Sequence, residues 1–415
     1  MHENFNSIYY FKNSLKSFII ILKMYVFKPH VFTELLPKGI AKPTGRMNSI
    51  IRCDGRNLYI FNGEDPTVAD FIELSDEFRD FWVYNLAEAQ WRLMKNESNL
   101  PDYNDLIFGT ICESNYLFIC IIQTPFNNKL SSRKCRLHIC DLNTESILVQ
   151  ATSGQIPYPT FSINLIRHGK YFYTVGIKRD NGKFSDVYKL NMENGVWEIV
   201  YTCRGLDTNE PVGRSGHTLV YGNNMIYIFG GVIDGPGLDT FSFVKISAFD
   251  LENCCWKIVE THGDKNYIPH YPTEREDFGV TSYTDPDSDE MNVIVSGGTV
   301  DHNDAFNDVW SLNLSSLKWT CLEKYGTVLP CYVDSHSMTI SPAGKLFTFG
   351  GYIFNNDMEQ GTCSSTLHST WLRIPKLTDI CWEAVFHYYP DLKSMTDKEI
   401  ISLGIPPQLL KSRIN

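Results

Sequence analysis

The sequence lacks the short motifs that carry most enzyme chemistry. It contains no glycine-rich phosphate-binding loop and no GxSxG nucleophile elbow. Its 12 cysteines are scattered, with no CxxC pair and no Cys/His cluster at the spacing of zinc ligands. We therefore predict no catalytic residues, no metal site and no cofactor.

Positive charge is also scarce. The 415 residues include 37 Lys and Arg against 48 Asp and Glu, which gives a net charge of −11 at pH 7. A general nucleic-acid binder would carry a basic patch and a high isoelectric point. The composition therefore argues against a nucleic-acid partner.

Long hydrophobic runs are missing as well. The apolar run from Phe18 to Leu22 lies between Lys16 and Lys23, whereas a membrane-spanning helix needs about 20 apolar residues. No small-residue cleavage site follows it, so we interpret residues 1–30 as a variable extension and expect no membrane contact. We interpret the scattered cysteines as reduced thiols, which favours a cytoplasmic or nuclear location.

What the sequence does contain is a repeat of about 55 to 65 residues. The clearest copy begins at Pro211 with PVGRSGHTLVYGNNMIYIFGG, closes its second strand with Gly230-Gly231 and has Trp256 in its fourth strand. The next copy keeps this order with Gly297-Gly298 and Trp319. A worn copy, YLFICII and CRLHICDLN, has neither the Gly pair nor the Trp.

These residues resemble the kelch repeat, whose marks are a Gly pair after the second strand and a Trp in the fourth. The resemblance implies an all-β fold, a six-bladed kelch β-propeller over residues 31–375. The last copy has three strands, at about 337–341, 345–351 and 369–375, and lacks a fourth. Residues 31–36 (VFTELL) are predicted to supply it, which closes the ring and removes an exposed sheet edge.

The tail, residues 376–415, changes to helical periodicity. Leu377, Cys381 and Val385 fall on one stripe of a helix, which Trp382 broadens. TDKE from Thr396 has the spacing of a capping box for a second helix, and the prolines at 406 and 407 suit the start of a third. We therefore predict a short three-helix region after the propeller.

The Leu-xxx-Cys-xxx-Val pattern resembles the elongin BC-box of cullin-RING substrate receptors, in which the Leu enters a pocket on elongin C. IPPQL at 405–409 resembles the cullin-2 box. The resemblance implies elongin B, elongin C and cullin-2 as partners. The residues expected to contact them are Leu377, Cys381, Trp382, Val385, Ile405, Pro406 and Leu409.

Propellers bind ligands at the mouth of the central channel, where loops and the starts of the first strands converge. Arginine there offers charge-assisted bonds to a carboxylate, and serine adds one more. Kelch repeats followed by such a tail resemble the kelch domain-containing protein 10 family, cullin-2 receptors for protein C-termini that end in glycine. The resemblance implies a substrate site at Arg46, Arg214, Ser215, Arg275, Ser335 and His336.

Two functions remain open at this point. The favoured one is a non-catalytic substrate-recognition subunit of a cullin-2 RING ubiquitin ligase; the alternative is a kelch interaction scaffold with no ligase. Arg and His at these positions also commonly link neighbouring blades, whatever the propeller binds. The two functions differ in the tail, because only a receptor should lose partner assembly when Leu377 and Cys381 are replaced.

Overall fold

The computed structural model describes residues 26–66, 78, 80–94, 105–123, 134–157, 165–177, 185–205, 207–232, 241–300, 305–354, 361–389, 391–392 and 395–410. In the described residues, six mainly antiparallel blade sheets and one small additional sheet are followed by three short helices. This confirms the predicted all-β, six-bladed propeller with a helical C-terminal region.

The first strand, β1 (Thr33–Glu34), belongs to the last blade, and the first complete blade starts after it. Blade 1 contains β2 (Ile50–Cys53), β3 (Asn57–Phe61), β4 (Phe81–Asn85) and β5 (Gln90–Leu93). Blade 2 contains β6 (Asp105–Glu113), β7 (Tyr116–Gln123), β8 (Lys134–Asp141) and β9 (Ser146–Ala151). Blade 3 contains β11 (Ile166–His168), β12 (Tyr171–Ile177), β13 (Ser185–Asn191) and β14 (Val196–Tyr201), with β10 (Ser153–Gly154) parallel to β14.

The second half of the chain repeats the pattern. Blade 4 contains β15 (Ser215–Gly222), β16 (Met225–Val232), β17 (Lys245–Asp250) and β18 (Cys255–Glu260). Blade 5 contains β19 (Gly279–Thr284), β20 (Met291–Ser296), β21 (Val309–Asn313) and β22 (Lys318–Cys321), followed by a 3₁₀ helix (Leu322–Tyr325). A small sheet of β23 (Val333–Asp334), β26 (Tyr352–Ile353) and β27 (Thr362–Cys363) accompanies blade 6, which contains β24 (Ser337–Ile340), β25 (Lys345–Phe349) and β28 (Leu367–Trp371).

The ring is closed by strand β1. It pairs antiparallel with β28, with Thr33 opposite Ser369 and Glu34 opposite His368. Further backbone hydrogen bonds, from His30 N to Trp371 O (3.2 Å) and from Leu35 N to Leu367 O (2.8 Å), extend the contact. The innermost strands then touch in turn, β24 against both β19 and β2. Residues from both ends of the propeller therefore share one sheet.

The fourth-strand Trp is a packing position that the worn blade fills differently. Trp197, Trp256 and Trp319 are buried on β14, β18 and β22, each opposite a buried residue of the third strand. In blade 2 the same register places Ile147 opposite Cys140, and both are buried. Blade 2 is a complete four-stranded blade because an aliphatic side chain fills the Trp position.

The Gly pair is required by close backbone contact. In blades 4, 5 and 6 both glycines have positive φ, and in blade 1 Asn62-Gly63 adopts the same conformation. A Cβ at Gly298 would lie 2.7 Å from the carbonyl oxygen of Glu276, and one at Gly351 would lie 2.6 Å from that of Asp334. The second glycine therefore lets the chain pass against the segment that leads into the first strand.

The C-terminal region contains α1 (Leu377–Tyr388), α2 (Asp397–Ser402) and α3 (Pro407–Leu410). Helix α2 has the predicted capping box: Glu399 N donates to Thr396 Oγ1 (3.4 Å) and Thr396 N donates to Glu399 Oε2 (2.6 Å). In the part of the chain that the structure describes, no helix has the length and apolar character needed to cross a membrane.

Candidate functional site

Four short segments surround one end of the propeller axis. Residues 46–49, 214–217, 275–278 and 333–336, which we call the rim segments, lead into the innermost strands of blades 1, 4, 5 and 6. Because all innermost strands of a propeller run in the same direction, their starts meet at the same mouth. The predicted substrate residues all belong to these segments, and in three of the four the first residue is arginine.

Arg46, in blade 1, is fully buried and already paired. Its guanidinium forms a bidentate ion pair with Asp80, at 2.5 and 2.9 Å, and donates to the carbonyl oxygens of Thr44 and Asn62. The ring of Phe78 lies 4.2 Å from Cζ. These contacts join the first, second and third strands of the blade, so Arg46 acts as a structural link.

Arg275 repeats this arrangement in blade 5. It is 1 % exposed, forms a bidentate ion pair with Asp308, and donates to the carbonyl oxygens of Thr273 and Gly297. Phe306 lies 3.6 Å from its Cζ. Asp308 also accepts a hydrogen bond from Trp310 Nε1 (2.8 Å), as Asp80 does from Trp82. Arg46 and Arg275 are thus buried and paired inside their own blades, and neither is placed to meet a substrate.

Arg214, in blade 4, differs from both. It keeps the bond to the second-strand carbonyl, at 3.4 Å from Gly230 O, and a looser aromatic contact, at 5.8 Å from the Phe241 ring. No carboxylate among the described residues pairs with it, and its buried Nε has no hydrogen-bond partner there. Burial lowers the pKa of the guanidinium. Arg214 is partly exposed, whereas Arg46 and Arg275 are buried.

A sequence signal accounts for this difference. Blades 1 and 5 read FRD at 78–80 and FND at 306–308, with the ion-pairing Asp third, whereas blade 4 reads FSF at 241–243. Phe243 is buried in the aromatic cluster with Phe278 and Trp319. At the position of Asp80 and Asp308, blade 4 therefore has Phe243, while it keeps the arginine. The RSGH-like segments alone do not show this difference.

The other predicted substrate residues are less open. His336 is buried, its Nε2 lies 2.9 Å from Ser296 Oγ, and burial lowers its pKa to about 4, so it is neutral at pH 7. Ser335 is partly exposed, and its backbone N donates to Asp277 O (2.7 Å) while its O accepts from Asn48 N (2.9 Å). The side chain of Ser215 lies outside the described residues. Among the predicted substrate residues whose side chains the structure describes, Arg214 and Ser335 are thus the partly exposed ones.

The predicted partner-binding helix has two distinct faces. Leu377 is 73 % exposed and Cys381 is exposed one turn later. On the opposite side, Trp382 is buried with Leu392, Ile400 and Leu410 in a small core, against which Val385 and Ile405 pack. Trp382 Nε1 also donates to Leu409 O (2.8 Å). Trp382 therefore holds the three helices together, and its side chain is not available to contact a partner.

Helix α1 is attached to blade 6 through Glu383. Its Oε1 accepts hydrogen bonds from Lys345 Nζ (2.7 Å) on β25 and from Trp371 Nε1 (2.9 Å) on β28. Further along the tail, Pro406 is exposed and Leu409 is 42 % exposed. Leu377, Cys381, Pro406 and Leu409 are thus the accessible members of the predicted set.

No cluster of metal-ligating side chains accompanies these sites. Within the described ranges, no group of three or more His, Cys, Asp or Glu side chains is placed to hold a metal ion. All twelve cysteines are free thiols.

Comparisons with known proteins match the repeat architecture. The model of the KLHDC2/KLHL20/DRC7 Kelch-repeats domain matches residues 19–231 and 216–385. The Kelch domain-containing protein 10 homolog of Drosophila melanogaster is 26 % identical over 405 residues, covering 93 % of this chain and 65 % of that protein. Kelch domain-containing protein 10 of Homo sapiens is 22 % identical over 382 residues, covering 90 % of this chain and 80 % of that protein.

A solved structure supports the fold alone. The structure of YjhT superimposes with a TM-score of 0.50 at 10 % identity, covering 81 % of this chain and 97 % of that one. At this identity the similarity concerns the propeller architecture and carries no statement about ligands or partners.

Proposed function

The chain belongs to the kelch-repeat family, and from that premise we propose that it is the substrate-recognition subunit of a cullin-2 RING ubiquitin ligase. It holds elongin B and elongin C through helix α1 and cullin-2 through the segment at 405–409. It binds the C-terminal carboxylate of a substrate protein at Arg214. It performs no catalysis itself.

The observation that carries the proposal is the exposure of the Leu377 and Cys381 face. A tail that served only to cover the propeller would bury its apolar stripe, as amphipathic surface helices do. Here the tail has its own small core around Trp382, while Leu377 is left 73 % exposed. Single exposed apolar residues are ordinary, but this one starts the stripe that resembles the elongin BC-box.

The attachment of α1 supports the same function. Glu383 binds both Lys345 and Trp371 of blade 6, so the helix is fixed to the propeller by hydrogen bonds to two strands. A receptor must hold its substrate at a defined distance from the ligase machinery, and a rigid junction serves that purpose. The free thiols are compatible with the reducing cytoplasm or nucleus, where we propose the protein acts.

The proposal is tested by capture of the ligase subunits. Full-length tagged wild type should recover elongin B, elongin C and cullin-2 from a cell extract, whereas Leu377→Ala/Cys381→Ala should recover none of them. Because both side chains are exposed, the variant should keep its stability to within about 0.5 kcal/mol. The thermal melt of each purified protein checks this.

The matched control is Leu148→Ala, which removes a 64 % exposed leucine from the outer strand of blade 2. It should recover all three subunits like the wild type. The proposal is contradicted if the double variant still recovers the elongins. It is also contradicted if the wild type recovers none of the three subunits. The chain would then be a kelch interaction scaffold whose tail is a structural appendage.

A further inference from the structure

The rim segments share a left-handed residue at their third position. Asn48, Gly216, Asp277 and Ser335 have φ values of 53°, 71°, 54° and 51°. Asparagine and aspartate tolerate this conformation better than most residues that carry a Cβ. Four blades therefore place equivalent residues around the mouth, and in blade 4 that residue has no side chain.

In blade 1 the residue at this position, Asn48, forms a side-chain bridge across the rim. Asn48 Nδ2 donates to Glu64 Oε1 (2.9 Å), a residue of the turn that follows the Gly-pair position, and the backbones of Met47 and Glu64 also pair. This bridge joins the segment before the first strand to the turn after the second strand, within two residues of Arg46.

In blade 4 the same place is open. Gly216 is exposed, and a Cβ built on it would meet no atom of the described residues within 4 Å. Two residues earlier lies Arg214, whose Nε has no partner in the described part of the chain. Among the residues that the structure describes, an open place in the rim and an arginine without a carboxylate partner therefore occur in the same blade.

We propose that Gly216 is the specificity-determining residue of the carboxylate site at Arg214, because its missing side chain lets a peptide end reach the guanidinium. The inference rests on the proposed function, since it names the residue that admits the substrate. Glycine commonly marks places where backbone approaches a ligand closely. The ligand class is the terminal carboxylate of an extended peptide, which an arginine fork can bind in bidentate fashion.

Gly216→Asn tests the gap without changing charge, because Asn48 already occupies the equivalent place at a similar φ. We first measure the reaction of phenylglyoxal with each arginine by peptide mapping, which needs no substrate. Arg214 should react readily in the wild type and about tenfold more slowly in the variant, which corresponds to about 1.4 kcal/mol. Buried Arg46 and Arg275 should stay protected in both and serve as internal references.

The second measurement is the binding of short labelled peptides that end in glycine, with a free or an amidated C-terminus. Gly216→Asn should weaken binding of the free-acid peptide about tenfold or more, the scale of one charge-assisted hydrogen bond. The matched control Asn48→Gly opens the rim of blade 1, beside an arginine that is already paired, and should bind like the wild type. Thermal melts should agree among all three proteins.

The outcomes separate this inference from the function on which it rests. If Arg214 of the Gly216→Asn variant reacts with phenylglyoxal as fast as in the wild type, and the variant binds the free-acid peptide equally well, the proposed role of Gly216 is wrong. The receptor proposal then stands. If the wild type binds neither form of the peptide, both are wrong. We expect that only Gly216→Asn shows both slower modification of Arg214 and weaker binding of the free-acid peptide.

Discussion

Arg275→Met should lower the free energy of unfolding by about 3–5 kcal/mol, the cost of removing one partner from a buried ion pair. The substitution takes away a bidentate bond to Asp308 and the bonds to two backbone carbonyls. Because Asp308 is 20 % exposed, water compensates it in part, and we expect the lower half of that range. Urea unfolding followed by tryptophan fluorescence measures the change.

Arg214→Met is the matched control for this prediction. Arg214 forms no ion pair within the described residues, so its loss should cost less than about 1 kcal/mol, the net contribution of one hydrogen bond. Similar losses of stability in the two variants would contradict the distinction between a structural and an available arginine.

Trp382→Ala should unfold the three-helix tail while the propeller stays folded. Replacing a buried Trp by Ala costs about 3–5 kcal/mol. In the part of the tail that the structure describes, the core has four buried side chains, those of Trp382, Leu392, Ile400 and Leu410. Native-state hydrogen exchange should therefore lose protection across α1 to α3 and keep it in the blades. The thermal melt of the propeller should remain at its wild-type midpoint.

Leu377→Ala provides the comparison on the same helix. Its side chain is exposed, so hydrogen exchange in the tail should match that of the wild type. Unchanged protection in Trp382→Ala would show that the tail is held by the propeller rather than by its own core.

The blade pattern was predictable because it depends on residues that are close together in the sequence. Each strand has only a few residues, and the Gly pair and Trp recur at fixed places within the repeat. The closing strand could be predicted because the last repeat ended after three strands, and because residues 31–36, followed by PTGR, have the pattern of the end of one repeat passing into the next. The third strand of that blade begins at Leu367, two residues before the predicted start.

The roles of the arginines were not predictable from the RSGH-like segments alone. Asp80 and Asp308 lie more than thirty residues after their arginines, and only folding brings them together. A comparison of FRD, FND and FSF would have separated Arg214 from Arg46 and Arg275. The signal lies at the start of the third strand of each blade, a position that is not among the Gly-pair and Trp marks of the repeat.

The tail was predictable in its elements and less so in its faces. The capping box gave the start of α2 correctly because it depends on residues three apart. The helical stripe grouped Trp382 with Leu377 and Cys381, although the three helices fold around Trp382 and expose the other two. Periodicity identifies an apolar face but does not say which part of it is covered by the chain itself.

The central claim is that Arg214 holds a substrate carboxylate, and calorimetric titration tests it most directly. Two peptides of identical sequence, one with a free and one with an amidated C-terminus, are titrated into wild type and Arg214→Met. The account predicts that the wild type binds the free acid about 10- to 150-fold more tightly, the equivalent of about 1.5–3 kcal/mol, and that Arg214→Met removes this preference. Equal affinity of the wild type for the two peptides, or an unchanged preference in Arg214→Met, would contradict it.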